Sequence, residues 1–252
     1  MRKILSYIFV STLLFSCKEN DDKVFPVEPF IEFKSLIFKK GLTGYPDSLN
    51  LKFYFTDGDS DFGLPGTFAS PYNFRNYFFK SNGNKYTGEL LAVASSELIR
   101  YKDKRLKILD TLPRFTNPFN CTNWELYRSN NLVTDTVYYQ ANPNFYNLFV
   151  DLFTFENGSW IKFNPYSILF HPNCPTADFL NARVPELGNF LLPSYYPFLF
   201  ERISSKEGVI TYRVVSYSLS FLFAGKKIKL KARIQDRALH KSNEIESSEI
   251  QL

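Results

Sequence analysis

The dominant pattern along this chain is alternation of apolar and polar residues with a period of two. Leu49, Leu51, Phe53 and Phe55 alternate with Asn50, Lys52, Tyr54 and Thr56, which predicts a strand over 48–56 with one buried face. Ile31, Phe33 and the run Leu36-Ile37-Phe38 predict an earlier strand. Two hairpins follow from Asn-Gly steps between apolar segments. One joins Asn76–Lys80 to Lys85-Tyr86 through Asn82-Gly83, and the other joins Tyr146–Phe155 to Ser159–Phe163 through Asn157-Gly158. Gly208–Val215 reads as a strand. Ile228, Leu230, Ala232 and Ile234, interleaved with Lys227, Lys229, Lys231 and Arg233, give the clearest strand of all. The segment 244–252 is expected to close a sheet, and a short helix is expected near Thr176–Asn181. Strands with turn signals and almost no helical periodicity predict an all-β fold, an antiparallel β-sandwich. The Pro- and aromatic-rich stretch of about 85–205 is expected to be an insertion on it, within a body of 30–252.

Composition narrows this picture. Aromatics make up 18% of the chain, with 27 Phe and 16 Tyr, and a β core accounts for most of them because aromatics suit a half-buried pleated surface. Exposed aromatics that bind carbohydrate are the sharper alternative, with Trp124 and Trp160 the first to inspect. The net charge of +5 is spread along the chain without a basic block, which argues against a nucleic-acid partner. The lysine-rich face of 227–233 reads as a solvated sheet face whose charges discourage edge pairing.

The N-terminus carries an address. Arg2 and Lys3 precede an apolar run from Ile4 to Phe15, too short for the ~20 residues that a bilayer-spanning helix needs and in keeping with a secretory signal. The run ends in Leu14-Phe15-Ser16-Cys17, which resembles a bacterial lipobox. The resemblance implies a signal peptide of 1–16, acylation of Cys17, and a flexible tether of 17–29 that attaches the body to a membrane. Lys18-Glu19-Asn20-Asp21-Asp22 is similar to the segment that directs Bacteroidetes lipoproteins to the cell surface, so an outer-membrane, surface-exposed location is expected. In such a compartment Cys121 and Cys174 are a candidate disulfide pair.

Two further blocks extend the resemblance. Phe55-Thr56-Asp57-Gly58-Asp59-Ser60-Asp61-Phe62-Gly63-Leu64 looks like the acidic motif of Bacteroidetes lipoproteins with immunoglobulin-like, cadherin-like domains. The segment from Ile234 to Asn243 resembles the ending of the same group. The resemblance implies an Ig-like sandwich and an envelope location; it implies no activity.

The acidic block has chemistry of its own. Ca²⁺ takes 6–8 oxygen ligands, and Asp57, Asp59 and Asp61 stand at alternate positions of a tight loop. Phe62 and Phe68 occupy the places where an EF-hand requires Gly and Glu, so this is not that motif. In an Ig-like topology the loops after 48–56 and after 226–235 leave the same end of the sandwich, which brings Asp236, and with it Asn243, toward Asp57–Asp61. These four aspartates are therefore candidate calcium ligands. A solvated turn, or pairing of Asp59 or Asp61 with Arg237, accounts for the same residues. The catalytic inventory is thin: His171 and His240 belong to no recognisable catalytic motif. The expected function is a non-catalytic adhesion, scaffold or binding module with a glycan or protein partner. The alternatives are a glycan-binding lipoprotein that assists nutrient uptake and, less favoured, a glycoside hydrolase.

Overall fold

The structure is a computed structural model, and it describes residues 23–64, 72, 74–86, 88–103, 112, 123–164, 180–185, 198–201, 204 and 206–252. The expected signal peptide of 1–16, Cys17, Cys121, Cys174, His171 and most of the expected helix at 176–181 lie outside these residues. No helix among the described residues is long and apolar enough to cross a membrane.

The protein is all-β and antiparallel. The first sheet is built, in spatial order, from β1 (Phe30–Lys39), β2 (Asp47–Thr56), β10 (Glu207–Ser216) and β9 (Phe198–Glu201). The second is built, in the same sense, from β12 (Ile245–Glu246), β11 (Lys227–Ile234), β7 (Leu148–Glu156) and β8 (Ser159–Lys162); a further strand, β13 (Ile250–Gln251), also pairs with β11. One apolar cluster joins the two sheets. It takes Leu49, Leu51, Phe53 and Phe55 from β2, Ile210 and Tyr212 from β10, Leu148, Val150 and Leu152 from β7, and Ile228, Leu230, Ala232 and Ile234 from β11. These are the positions that the alternation selects, so the period of two is here the cause of a two-layer sandwich. Four strands of the first sheet thus face five of the second in an antiparallel β-sandwich. Strand β1 obeys the same rule with one interruption. Its register shifts between Phe33 and Ser35, and the inward set moves from Ile31 and Phe33 to Leu36 and Phe38. This β-bulge lets one strand serve two parities.

The stretch 85–205 is not a single insertion. Strands β7, β8 and β9 belong to the sandwich itself, because Leu148, Val150, Leu152 and Phe198 are needed to fill its core. The element that departs from the sandwich is a third sheet, built in spatial order from β4 (Lys85–Tyr86), β3 (Asn76–Phe79), β6 (Leu132–Ala141) and β5 (Trp124–Ser129). It sits in the connection between β2 and β7 and has small cores of its own, around Phe78, Leu98 and Val137 and around Ile99, Trp124 and Tyr138. A five-residue helix, α1 (Leu219–Phe223), buries Leu219 and Phe223 in the main core.

Candidate functional site

Strand parity places the acidic residues. Leu49, Leu51, Phe53 and Phe55 face the core, and Asp57 is the next position of that parity; it is 0% exposed. Ile228, Leu230, Ala232 and Ile234 face the core from the other sheet, and Asp236 is the next position there; it is 1% exposed. Each carboxylate thus lies where its strand would have put another apolar side chain, and both lie at the same pole. Asp59 is exposed and Asp61 half-buried. One carboxylate oxygen from each of Asp57, Asp59, Asp61 and Asp236 falls within 4.8 Å of the other three.

The two loops are tied together and to their surroundings by directed bonds. The Phe62 amide donates to Asp57 Oδ2 at 2.7 Å, and the Ala238 amide donates to Asp61 Oδ2 at 2.9 Å. The His240 amide donates to Asp236 Oδ1 at 2.7 Å, and His240 Nδ1 lies 2.9 Å from Asp236 Oδ2. Arg237 Nη1 donates to the Gly63 carbonyl at 3.3 Å, and the Tyr72 hydroxyl donates to the Arg237 carbonyl. Ser60 holds φ at 65° in the left-handed region, where a residue other than glycine is strained.

Electrostatics at the pole are unfavourable for four bare carboxylates. Burial pushes Asp57 up to about 6, and the charges of Asp59 and Asp61 push the same way against the Phe62 amide. Burial raises Asp61 as well, reinforced by Asp236 and Asp59 and opposed by the Ala238 amide and Arg237. The hydrogen bond to Asp236, and then its charge, raise His240.

The pole also receives the chain from the N-terminal side. The Gly58 amide donates to the Pro26 carbonyl at 2.8 Å, and the Asp57 amide donates to the Lys206 carbonyl at 2.8 Å. A Cβ at Gly58 would stand 2.5 Å from the Pro26 carbonyl oxygen and closer still to that of Phe25, so glycine is what lets the segment at Phe25 and Pro26 lie against this loop. Lys23 pairs with Glu207 at 3.1 Å. Asn243, expected to reach toward the acidic loop, is used elsewhere. It accepts from the Ile31 amide at 2.8 Å and donates to the Ile31 carbonyl at 2.9 Å, which extends β1 as a neighbouring strand would.

A second feature lies on the outer face of the second sheet. A polar hollow of about 270 Å³ is lined by Phe149, Asp151, Lys162, Asn181, Arg233 and Glu244, among others. Its carboxylates are ion-paired: Lys162 meets Asp151 at 2.7 Å, and Lys231 meets Glu244 at 2.9 Å. Lys229 pairs with Glu246 at 2.7 Å, so the cationic stripe of β11 is largely neutralised by the acids of the adjoining edge. Trp160 is half-buried, with the Lys229 ammonium 4.4 Å from its ring centre. Trp124 is 2% exposed and packs edge-on against Tyr101 and Tyr138, which makes it a core residue rather than a sugar platform.

Sequence reading brought the four aspartates together and missed what surrounds them. The amide donors at Phe62 and Ala238 carry no residue-type signal. The hollow was missed because Asn181 lies in a segment without periodicity. No family model matches the chain, and no curated protein or solved structure matches it.

Proposed function

We propose that this chain is a lipid-anchored, non-catalytic module of the bacterial cell envelope that presents a binding or scaffold surface. The observation that carries the reading is the attachment of the tether to the body at the acidic pole, through Pro26 and Gly58. With acylation at Cys17, the stretch 17–26 reaches at most ~35 Å when fully extended, so the body is held close to the membrane by that pole. Two or more acyl chains on one residue give stable anchoring. The segment Lys18–Asp22 supports the outer membrane, with the body facing outward, as its location. An Ig-like sandwich commonly presents surfaces rather than catalytic clefts; that support comes from the fold alone.

A glycan-binding role is the second reading, and the polar hollow of the second sheet favours it. Arg233, Asn181 and the ring of Phe149 offer a cation, an amide and an apolar face in one depression. Hydrolysis is disfavoured there, because Asp151 and Glu244 are each bonded to a lysine, whereas a general acid needs an environment that keeps its proton.

The test is metabolic labelling with a palmitate analogue, followed by fractionation and protease treatment of intact cells. Label and membrane retention are expected for the native chain, both lost in Cys17→Ser, with protease removing the body from whole cells. Retention and labelling unchanged in Cys17→Ser would refute the anchoring. A glycan array probed with the native protein and Arg233→Ala separates the second reading from the first.

A further inference from the structure

We infer that Asp57, Asp59, Asp61 and Asp236 form a calcium site that bolts the two sheets together at the tether end of the sandwich. The inference stands apart from the anchoring proposal, since neither requires the other.

Four carboxylates gathered at one point are not by themselves a site. The independent observation is Asp57. Its side chain is fully buried, its Oδ2 is engaged by the Phe62 amide, and its Oδ1 is shielded from solvent with no hydrogen-bond partner among the described residues. Asp61 repeats the arrangement, with Oδ2 on the Ala238 amide and Oδ1 shielded and without a hydrogen-bond partner among the described residues. Buried oxygens of a carboxylate nearly always have a partner, and a charged one without a partner is costly. In both residues a backbone amide holds one oxygen fixed and leaves the other for the cluster. A cation among the four carboxylates gives these oxygens the partner they lack and cancels the repulsion among them.

The chemistry of the donors selects the metal. All four are hard oxygens, which suit Mg²⁺, Ca²⁺ or Mn²⁺ rather than the softer transition metals. Their oxygens all lie within 4.8 Å of one another, a span that ligands on opposite sides of one Ca²⁺, at ~2.3–2.6 Å each, would fill. Ca²⁺ also tolerates an irregular shell completed by carbonyls and water, whereas Mg²⁺ demands a near-ideal octahedron. Three ligands come from the loop after β2 in the first sheet and one from the loop after β11 in the second. The ion therefore closes the open end of the sandwich across its core. Because the Gly58 amide holds Pro26, the same loop carries the tether.

The experiment uses the full chain in non-ionic detergent, first stripped with EGTA and then titrated with Ca²⁺ or Mg²⁺. Thermal melting is read beside Tb³⁺ luminescence, for which Tyr72, bonded to the Arg237 carbonyl, is the nearby sensitiser. Millimolar Ca²⁺ is expected to raise the melting temperature by about 5–10 °C, with Mg²⁺ much weaker. Asp59→Asn, at an exposed position that should not disturb folding, is expected to raise the Ca²⁺ needed by about tenfold and to dim the Tb³⁺ signal. Equal melting temperatures in EGTA and Ca²⁺ would overturn the inference. So would a Ca²⁺ response unchanged in both Asp59→Asn and Asp61→Asn, which would place the ion elsewhere. A Mg²⁺ response equal to that of Ca²⁺ would overturn the choice of metal.

Discussion

Replacement of Asp57 by Asn should stabilise the metal-free protein at neutral pH and leave it nearly unchanged in acid. The Asp57 carboxyl is raised from 3.8 to about 6, chiefly by burial. A raised value means that the folded chain holds this proton more tightly than the unfolded chain does. The stability associated with the proton is complete below pH ~4 and is lost as the pH rises through ~6. A gap of about two pH units, at ~1.4 kcal/mol each, gives a penalty of about 3 kcal/mol at pH 7.5 in the absence of a cation. The carboxamide introduced by Asp57→Asn would keep an acceptor for the Phe62 amide, and its NH₂ group would offer a donor to the neighbouring carboxylates. The assay is urea denaturation in EGTA at pH 4.5 and pH 7.5. A gain of ~2–3 kcal/mol at pH 7.5 that shrinks to ~1 kcal/mol at pH 4.5 is expected. A variant less stable than the native chain at pH 7.5, or a gain equal at both pH values, would refute the reasoning.

Three other substitutions probe the frame around the pole. Gly58→Ala should release the tether, because its Cβ has no room beside the Phe25 and Pro26 carbonyls; faster tryptic cleavage after Lys23 and a loss of ~1–3 kcal/mol are expected. Asn147→Ala should cost ~2–3 kcal/mol in a denaturant melt, since the buried Asn147 side chain accepts from the Val184 amide at 2.6 Å and donates to its carbonyl at 3.0 Å. Lys231→Ala, at the outer face where Glu244 and Glu246 lie 2.9 and 3.6 Å away, should shift the stability by no more than ~0.5 kcal/mol; a larger loss would mean that this face is structural.

Strands whose two faces have different solvents were legible in the sequence, and the others were not. β2, β7, β10 and β11 each face one core, so their alternation survives in the residue types. β6 buries both Val137 and Tyr138, because the third sheet packs small clusters on opposite faces, and that erases the period. Its turn with β5 was also available as a signal. Asn130 and Asn131 both adopt positive φ, at 49° and 63°, and Asn-Asn serves there as Asn157-Gly158 does between β7 and β8. β9 was hidden for a different reason: it has only four residues and lies beside a Pro-rich stretch. The acidic loop was legible from its spacing. Its burial could be inferred only by extending the parity of β2 by one step beyond the strand.

That parity explains why the pole is polar at all. In β2 and β11 the core-facing register runs on past the last hydrogen-bonded pair and ends in an aspartate on each side. A sandwich that needed only closure would put Leu or Phe at these positions, as it does at Phe62, which packs 5.1 Å from Phe55. Two charged groups in their place cost stability unless something meets them. The amide and the ring of His240 meet Asp236 on its two oxygens, whereas one oxygen of Asp57 has no hydrogen-bond partner among the described residues. The imbalance lies on the β2 side, in the loop that also carries the tether. A ligand that binds there does not merely fill a hole: it sets the stability of the same pole against which the segment through Pro26 lies.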